Sequence, residues 1–152
     1  MIPERFRGVW QRVSLSVDGG PWCEPAQVIW VQTGSVFGDI RLPHAGRDDE
    51  HPPMSFAGTL SWREPHLMWT HKLDLYGEAG DDDDGTDVAE VSWHGAELVC
   101  TGHFQRATRS VPYMEVWRRL SGSAGHSVTL VRADGLGVLA QVGDHAITIV
   151  RP

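Results

Sequence analysis

Apolar and polar positions alternate with period two along most of this chain, the pattern of strands that bury one face. Residues 28–43 show it best. Trp30 and Gln32 fall on one face of a strand, and after the Gly34-Ser35 turn Phe37, Asp39 and Arg41 share one face of the next. The same reading predicts strands over 7–17, 27–33, 36–42, 55–62, 66–76, 87–93, 96–104, 113–120, 127–132, 137–142 and 146–150. Turn chemistry separates them: Asp18-Gly19-Gly20-Pro21, His94-Gly95, Ala133-Asp134-Gly135 and Gly143-Asp144. Ala/Glu/Lys/Leu runs at helical spacing are missing. The segment 44–53, rich in Asp and Pro, is expected to be a surface loop or flap.

This succession predicts an all-β chain, with residues 1–152 forming a single antiparallel β-barrel domain of about ten strands. Closure removes the edges that an open sheet of this size would expose. About ten strands would also leave an interior wider than side chains fill, so a ligand cavity is expected from the strand count. A two-sheet sandwich is the alternative architecture.

The 152 residues suffice for one full core. A net charge of -7 argues against nucleic acid and anionic membranes as partners. Cys23 and Cys100 are the two cysteines, and the chain starts Met-Ile-Pro-Glu-Arg without an apolar signal core. They are therefore expected as reduced thiols in a cytoplasmic protein. The expected partner is a small molecule, with a homodimer left open.

The candidate chemistry lies on the inward faces. Trp10/Arg12, Trp30/Gln32, Asp39/Arg41, Trp69/His71 and Glu115/Trp117 are each spaced i, i+2. An aromatic ring beside an amide or an ion is unlike a plain apolar core and resembles a cavity wall. Trp10, Arg12, Trp30, Gln32, Arg41, Trp69 and Trp117 are the expected ligand-binding residues. A buried guanidinium needs a partner. An internal Arg41–Asp39 or Arg12–Glu115 pair is expected, and one fork left free to grip a ligand anion is compatible with it at a cavity wall. His71 is the candidate proton-transfer residue, because its unperturbed pKa of about 6.5 lies near neutrality. Parity sends Asp74 to the opposite face from His71, which leaves Glu115 or Asp39 as its expected partner. The catalytic set is thus His71, Glu115 and Asp39.

Other motifs carry less. Asp81-Asp-Asp-Asp-Gly-Thr-Asp87 lacks the twelfth-position Glu and flanking helices of an EF-hand, and reads as a solvated hairpin tip. The eight histidines are scattered without metal-ligand spacing, so no metal site is expected. No nucleotide motif occurs either, and no cofactor is expected. His126 and His145 have no local motif that would mark a haem ligand.

The order Gly8-Val-Trp-Gln-Arg12, Val28-x-Trp-x-Gln32 and Phe37-Gly-Asp-Ile-Arg-Leu-Pro43 resembles a lipocalin-like, calycin-type barrel family of bacterial and fungal proteins. The resemblance continues through Phe56-Ala-Gly58, Trp69-Thr-His-Lys-Leu-Asp74, Thr86-Asp-Val88 and Tyr113-Met-Glu-Val-Trp-Arg-Arg119, covering roughly residues 8 to 120. It implies a calycin-type barrel and no shared chemistry. The segment between Pro43 and Phe56 is shorter than in many relatives.

Three classes of function fit these residues. The first is a small-molecule-binding protein whose polar-aromatic pocket takes a partly apolar ligand with a carbonyl or acidic group. The second is a cofactor-independent enzyme, a cyclase, isomerase or dehydratase, using acid–base chemistry and oxyanion stabilisation. The third is an interaction module with the barrel as scaffold. Fold alone does not choose among them.

Overall fold

The computed structural model describes residues 1–45, 53–75 and 85–152. A 3-10 turn, Glu4–Phe6, leads into β1 (Gly8–Val17), β2 (Ala26–Gln32), β3 (Val36–Pro43), β4 (Met54–Arg63), β5 (His66–Leu75), β6 (Thr86–His94), β7 (Glu97–Arg106) and β8 (Arg109–Arg119). These eight close into an antiparallel barrel, β8 pairing back onto β1 from Trp10↔Arg119 to Val17↔Tyr113. Three further strands, β9 (Ser127–Val131), β10 (Gly137–Val142) and β11 (His145–Val150), form a separate sheet.

The expected barrel of about ten strands is therefore a barrel of eight. The strands themselves fall close to where alternation places them. Once β1 and β8 have paired, the barrel has no edge left for β9. What β10 and β11 cover instead is the apolar outer wall. Val9, Val31, Ala57 and Leu73 point away from the barrel interior and pack with Val138, Ala140, Val142, Ile147 and Ile149. Gly38 makes this contact possible: a Cβ there would lie 2.8 Å from Ile147 Cγ2. Strand β8 also starts four residues before the expected position. Pro112 masked it, since proline removes a ladder donor. Here Pro112 precedes the first β1–β8 pair, Val17↔Tyr113, so no β1 partner needs its N–H.

The inner faces hold Trp10, Val28, Trp30, Phe37, Leu67, Leu98 and Trp117. One end is packed shut. Phe6 of the 3-10 turn is fully buried, 4.9 Å from Trp62 and 5.9 Å from Trp93 between ring centroids. The Phe6 carbonyl accepts the Trp10 Nε1–H at 3.0 Å, and the Arg119 guanidinium lies 4.7 Å from the Trp10 ring. An eight-stranded barrel can be filled by side chains or hold one small ligand. Strand count alone therefore does not produce a cavity; the placement of bulky residues at one end does.

Two bulges reset the alternation. In β1 the register with β8 shifts between Arg12 and Ser14. Trp10 and Arg12 point inward before it, Leu15 and Val17 after it. In β5 the register with β4 shifts, so that Ala57 faces Leu73 while Gly58 faces His71. Lys72 is the extra residue. Gly58 is required there, because a Cβ would sit 1.9 Å from the Thr70 carbonyl oxygen. Among the described residues no helix is long and apolar enough to cross a membrane.

Candidate functional site

The half of the barrel away from the 3-10 turn encloses a cavity of about 490 Å³. Trp30, Trp69 and Trp117 form its inner aromatic wall, Phe56, Phe104 and Tyr113 line it further out, and Arg12, Asp39, Arg41, Asp87 and Glu115 add charge. The tryptophans interlock: Trp30 meets Trp69 and Trp117 edge-on at 5.6 and 5.7 Å and stacks with Trp10 at 5.9 Å.

Arg12 is the least solvent-exposed arginine or lysine among the described residues, with 5% of its side chain exposed. Its Nη1 donates to Glu115 at 2.9 Å, while Nε and Nη2 form a two-pronged pair with Glu24, both at 2.9 Å. Burial alone would lower the Arg12 pKa, but the hydrogen bond to Glu24 and the charge of Glu115 reverse this and raise it. All three guanidinium nitrogens are thus engaged. Glu115 is occupied too, since its second oxygen accepts the Trp117 Nε1–H at 3.1 Å.

Arg41 differs. Its Nε donates to Asp39 at 2.9 Å and its Nη2 reaches the other Asp39 oxygen at 3.5 Å. Nη1 has no partner among the described residues, the side chain is 29% exposed, and the guanidinium lies 4.9 Å from the Phe56 ring centre. Burial would lower the Arg41 pKa, but the charges of Asp39 and Glu115 outweigh it and raise it. Burial likewise pushes the Asp39 carboxyl up, and Arg41 only partly opposes this.

His71 has partners other than those expected. Its Nδ1 lies 2.8 Å from Asp74 Oδ1 and its Nε2 lies 3.0 Å from Asp87 Oδ2. The parity that separates His71 from Asp74 fails because the bulge at Lys72 returns Asp74 to the face of His71. Neither Glu115 nor Asp39 is its partner. The ring stacks on Phe56 at 4.4 Å and 12°, so both nitrogens and one face are taken. Burial lowers its pKa, but the bond to Asp87 and the charges of Asp87 and Asp74 raise it above the ordinary histidine value. A neutral imidazole has one N–H and could satisfy one carboxylate only; the imidazolium satisfies both.

No family model and no curated protein matches the chain. Its structure is similar to the crystal structure of a lipocalin-like protein from Bacteroides uniformis, with a TM-score of 0.52 and 14% sequence identity over 76% of this chain and 99% of that one. At that identity the likeness concerns architecture. The fold is a lipocalin-like barrel.

Within this lipocalin-like barrel, Arg12, Trp30, Asp39, Arg41, Trp69, Glu115 and Trp117 line one cavity together, as the alternation places them. Trp10, Gln32 and His71 are not among its lining residues. Trp10 lies deeper, against the 3-10 turn. Gln32 is fully buried, accepts the Trp30 Nε1–H at 3.1 Å, and donates to the Val36 carbonyl at 3.1 Å. His71 stands beside the cavity, and its partner Asp87 lines it.

Three contributors escaped the sequence reading. Glu24 precedes β2, yet the alternation of Ala26, Val28 and Trp30 extended backwards puts it inward, and Arg12 needs a second carboxylate. Asp87 shares the parity of Ala89 and Val91, but the acidic run before it hid the signal. Most of that run, residues 81–84, lies outside the described residues, as does most of the proposed flap, residues 46–52. Tyr113 shares the face of Glu115 and Trp117, and its hydroxyl passes over Gly102, where a Cβ would lie 2.6 Å from the oxygen. Burial, then the charge of Glu115, raises the Tyr113 pKa and keeps the phenol protonated. Cys23 and Cys100 are free thiols, Cys23 exposed and Cys100 buried.

Proposed function

We propose that this chain is a small-molecule-binding protein, holding a partly apolar organic ligand with a carbonyl or acidic group inside the barrel. The observation that carries this reading is the cavity of about 490 Å³, where tryptophan walls lie beside an Arg41 guanidinium only partly used by Asp39. That volume lies within the ~300–1,000 Å³ common for small-molecule sites, and a mostly apolar wall with few polar groups is their usual make-up. Binding is favoured over acid–base catalysis because both His71 nitrogens are engaged by aspartates. Ligand-library titration followed by tryptophan emission tests the proposal. Hits are expected to quench in the presence of a chelator and to weaken about tenfold or more in Arg41→Ala or Trp69→Ala. If every hit binds both folded variants as it binds the parent, the ligand site lies elsewhere.

A further inference from the structure

The N–H and O–H groups of the barrel sort into two kinds. Trp10, Trp30 and Trp117 donate their indole N–H groups to Phe6, Gln32 and Glu115. Trp69 lines the cavity, is only partly buried, and donates its N–H to none of the described residues. The Tyr113 hydroxyl and Arg41 Nη1 likewise donate to no described group. None of these three is a sealed orphan: among the described residues, the buried side-chain polar atom without a partner is Arg7 Nε. Trp69, Tyr113 and Arg41 thus bring three open donors to one cavity. Its innermost acceptors are already used, Glu115 by Arg12 and Trp117, and Asp39 by Arg41.

The charge around the same space decides what those donors receive. Among the described residues, five carboxylates, Glu24, Asp39, Asp74, Asp87 and Glu115, stand in the wall or pair with residues in or beside it. Against them, among the described residues, are Arg12, Arg41, His71 and His103, so these carboxylates outnumber these cations even with both histidines counted as charged. The charges of Asp39 and Glu115 raise the Arg41 pKa against its burial, and Glu115 adds to the effect of burial in raising that of Tyr113. A ligand carboxylate would be desolvated into it and would compete with Asp39 for Arg41. A neutral acceptor meets the donors without that penalty.

Building on the binding reading above, we infer that the ligand's polar end is an uncharged hydrogen-bond acceptor, a ketone, amide, ester or lactone carbonyl, and that carboxylates of the same skeleton are rejected. Trp69, Tyr113 and Arg41 determine this specificity.

Matched bicyclic aromatic probes test it by calorimetry with the full chain at pH 8, where the acids are ionised: 2-acetylnaphthalene against 2-naphthoate, 1-naphthaleneacetamide against 1-naphthaleneacetate, and naphthalene as the parent without an acceptor. The neutral member of each pair is expected to bind at least about tenfold tighter. Tyr113→Phe keeps the ring and removes one donor, and Trp69→Phe removes another donor while exchanging the indole for a smaller phenyl ring. Each should lower the affinity for 2-acetylnaphthalene relative to naphthalene about 3- to 10-fold, a ratio from which any loss of wall contact cancels. Equal or tighter binding of the carboxylates overturns the inference while leaving the cavity as the site. So does a ketone affinity that neither Phe variant alters relative to naphthalene, or binding by naphthalene alone. If no probe binds, the inference and the binding reading fall together.

Discussion

Replacing Arg12 by Met removes the cation that joins β1, β8 and the segment before β2, while keeping a side chain of similar length. Three charge-assisted hydrogen bonds, each at 2.9 Å, disappear. Bonds of this kind contribute about 1.5–3 kcal/mol each, so the low end of the range gives about 4.5 kcal/mol. Glu24 and Glu115 retain 19% and 13% exposure and recover part of their hydration, which brings the expected loss to about 3–4 kcal/mol. Urea denaturation at pH 7, followed by tryptophan fluorescence and circular dichroism, measures it. With a slope of about 2 kcal/mol/M, the midpoint should fall by roughly 1.5–2 M. The triple variant Arg12→Met/Glu24→Gln/Glu115→Gln, which buries no unpaired charge, should recover more than half of the loss. A single-variant cost below about 1 kcal/mol, or a triple variant no more stable than the single, would refute the account of Arg12 as the partner of two buried carboxylates.

Two further perturbations probe the rim. Gly58→Ala forces a Cβ against the Thr70 carbonyl and should cost about 3 kcal/mol or more, seen in thermal unfolding; a neutral result would mean that the β5 bulge does not need this glycine. The His71 pKa is raised in the folded state, so its pairing with Asp74 and Asp87 stabilises fully below the unfolded value of about 6.5 and is lost as pH rises through the higher folded value. The stability difference between the parent and His71→Gln should accordingly shrink from pH 6 to pH 8.5 in urea titrations, and a difference that is flat or grows over that range would contradict the assignment.

Much of the barrel was legible because period-two alternation is a local property. A strand that buries one face must put its apolar and internally paired residues at every second position. That requirement alone places Trp30, Asp39, Arg41, Glu115 and Trp117 on inner faces, and it makes Arg41–Asp39 and Arg12–Glu115 foreseeable pairs. The fate of His71 was hidden because a bulge is a relation between two strands: the extra residue Lys72 is tolerated only because Gly58 lies opposite, and alternation within β5 carries no trace of it.

The sequence by itself determined an all-β chain, the places of its strands, and which side chains turn inward wherever no bulge intervenes, since these follow from the chain's own periodicity. The tertiary structure decided the rest. Closure of β1 on β8 left the last three strands to form their own sheet, with β10 and β11 covering the apolar outer wall, because a closed barrel offers no edge hydrogen bonds. It also decided which donors have partners and which stay open. Whether an indole N–H finds an acceptor, as Trp117 does in Glu115, or faces a cavity, as Trp69 does, depends on atoms brought together from distant strands.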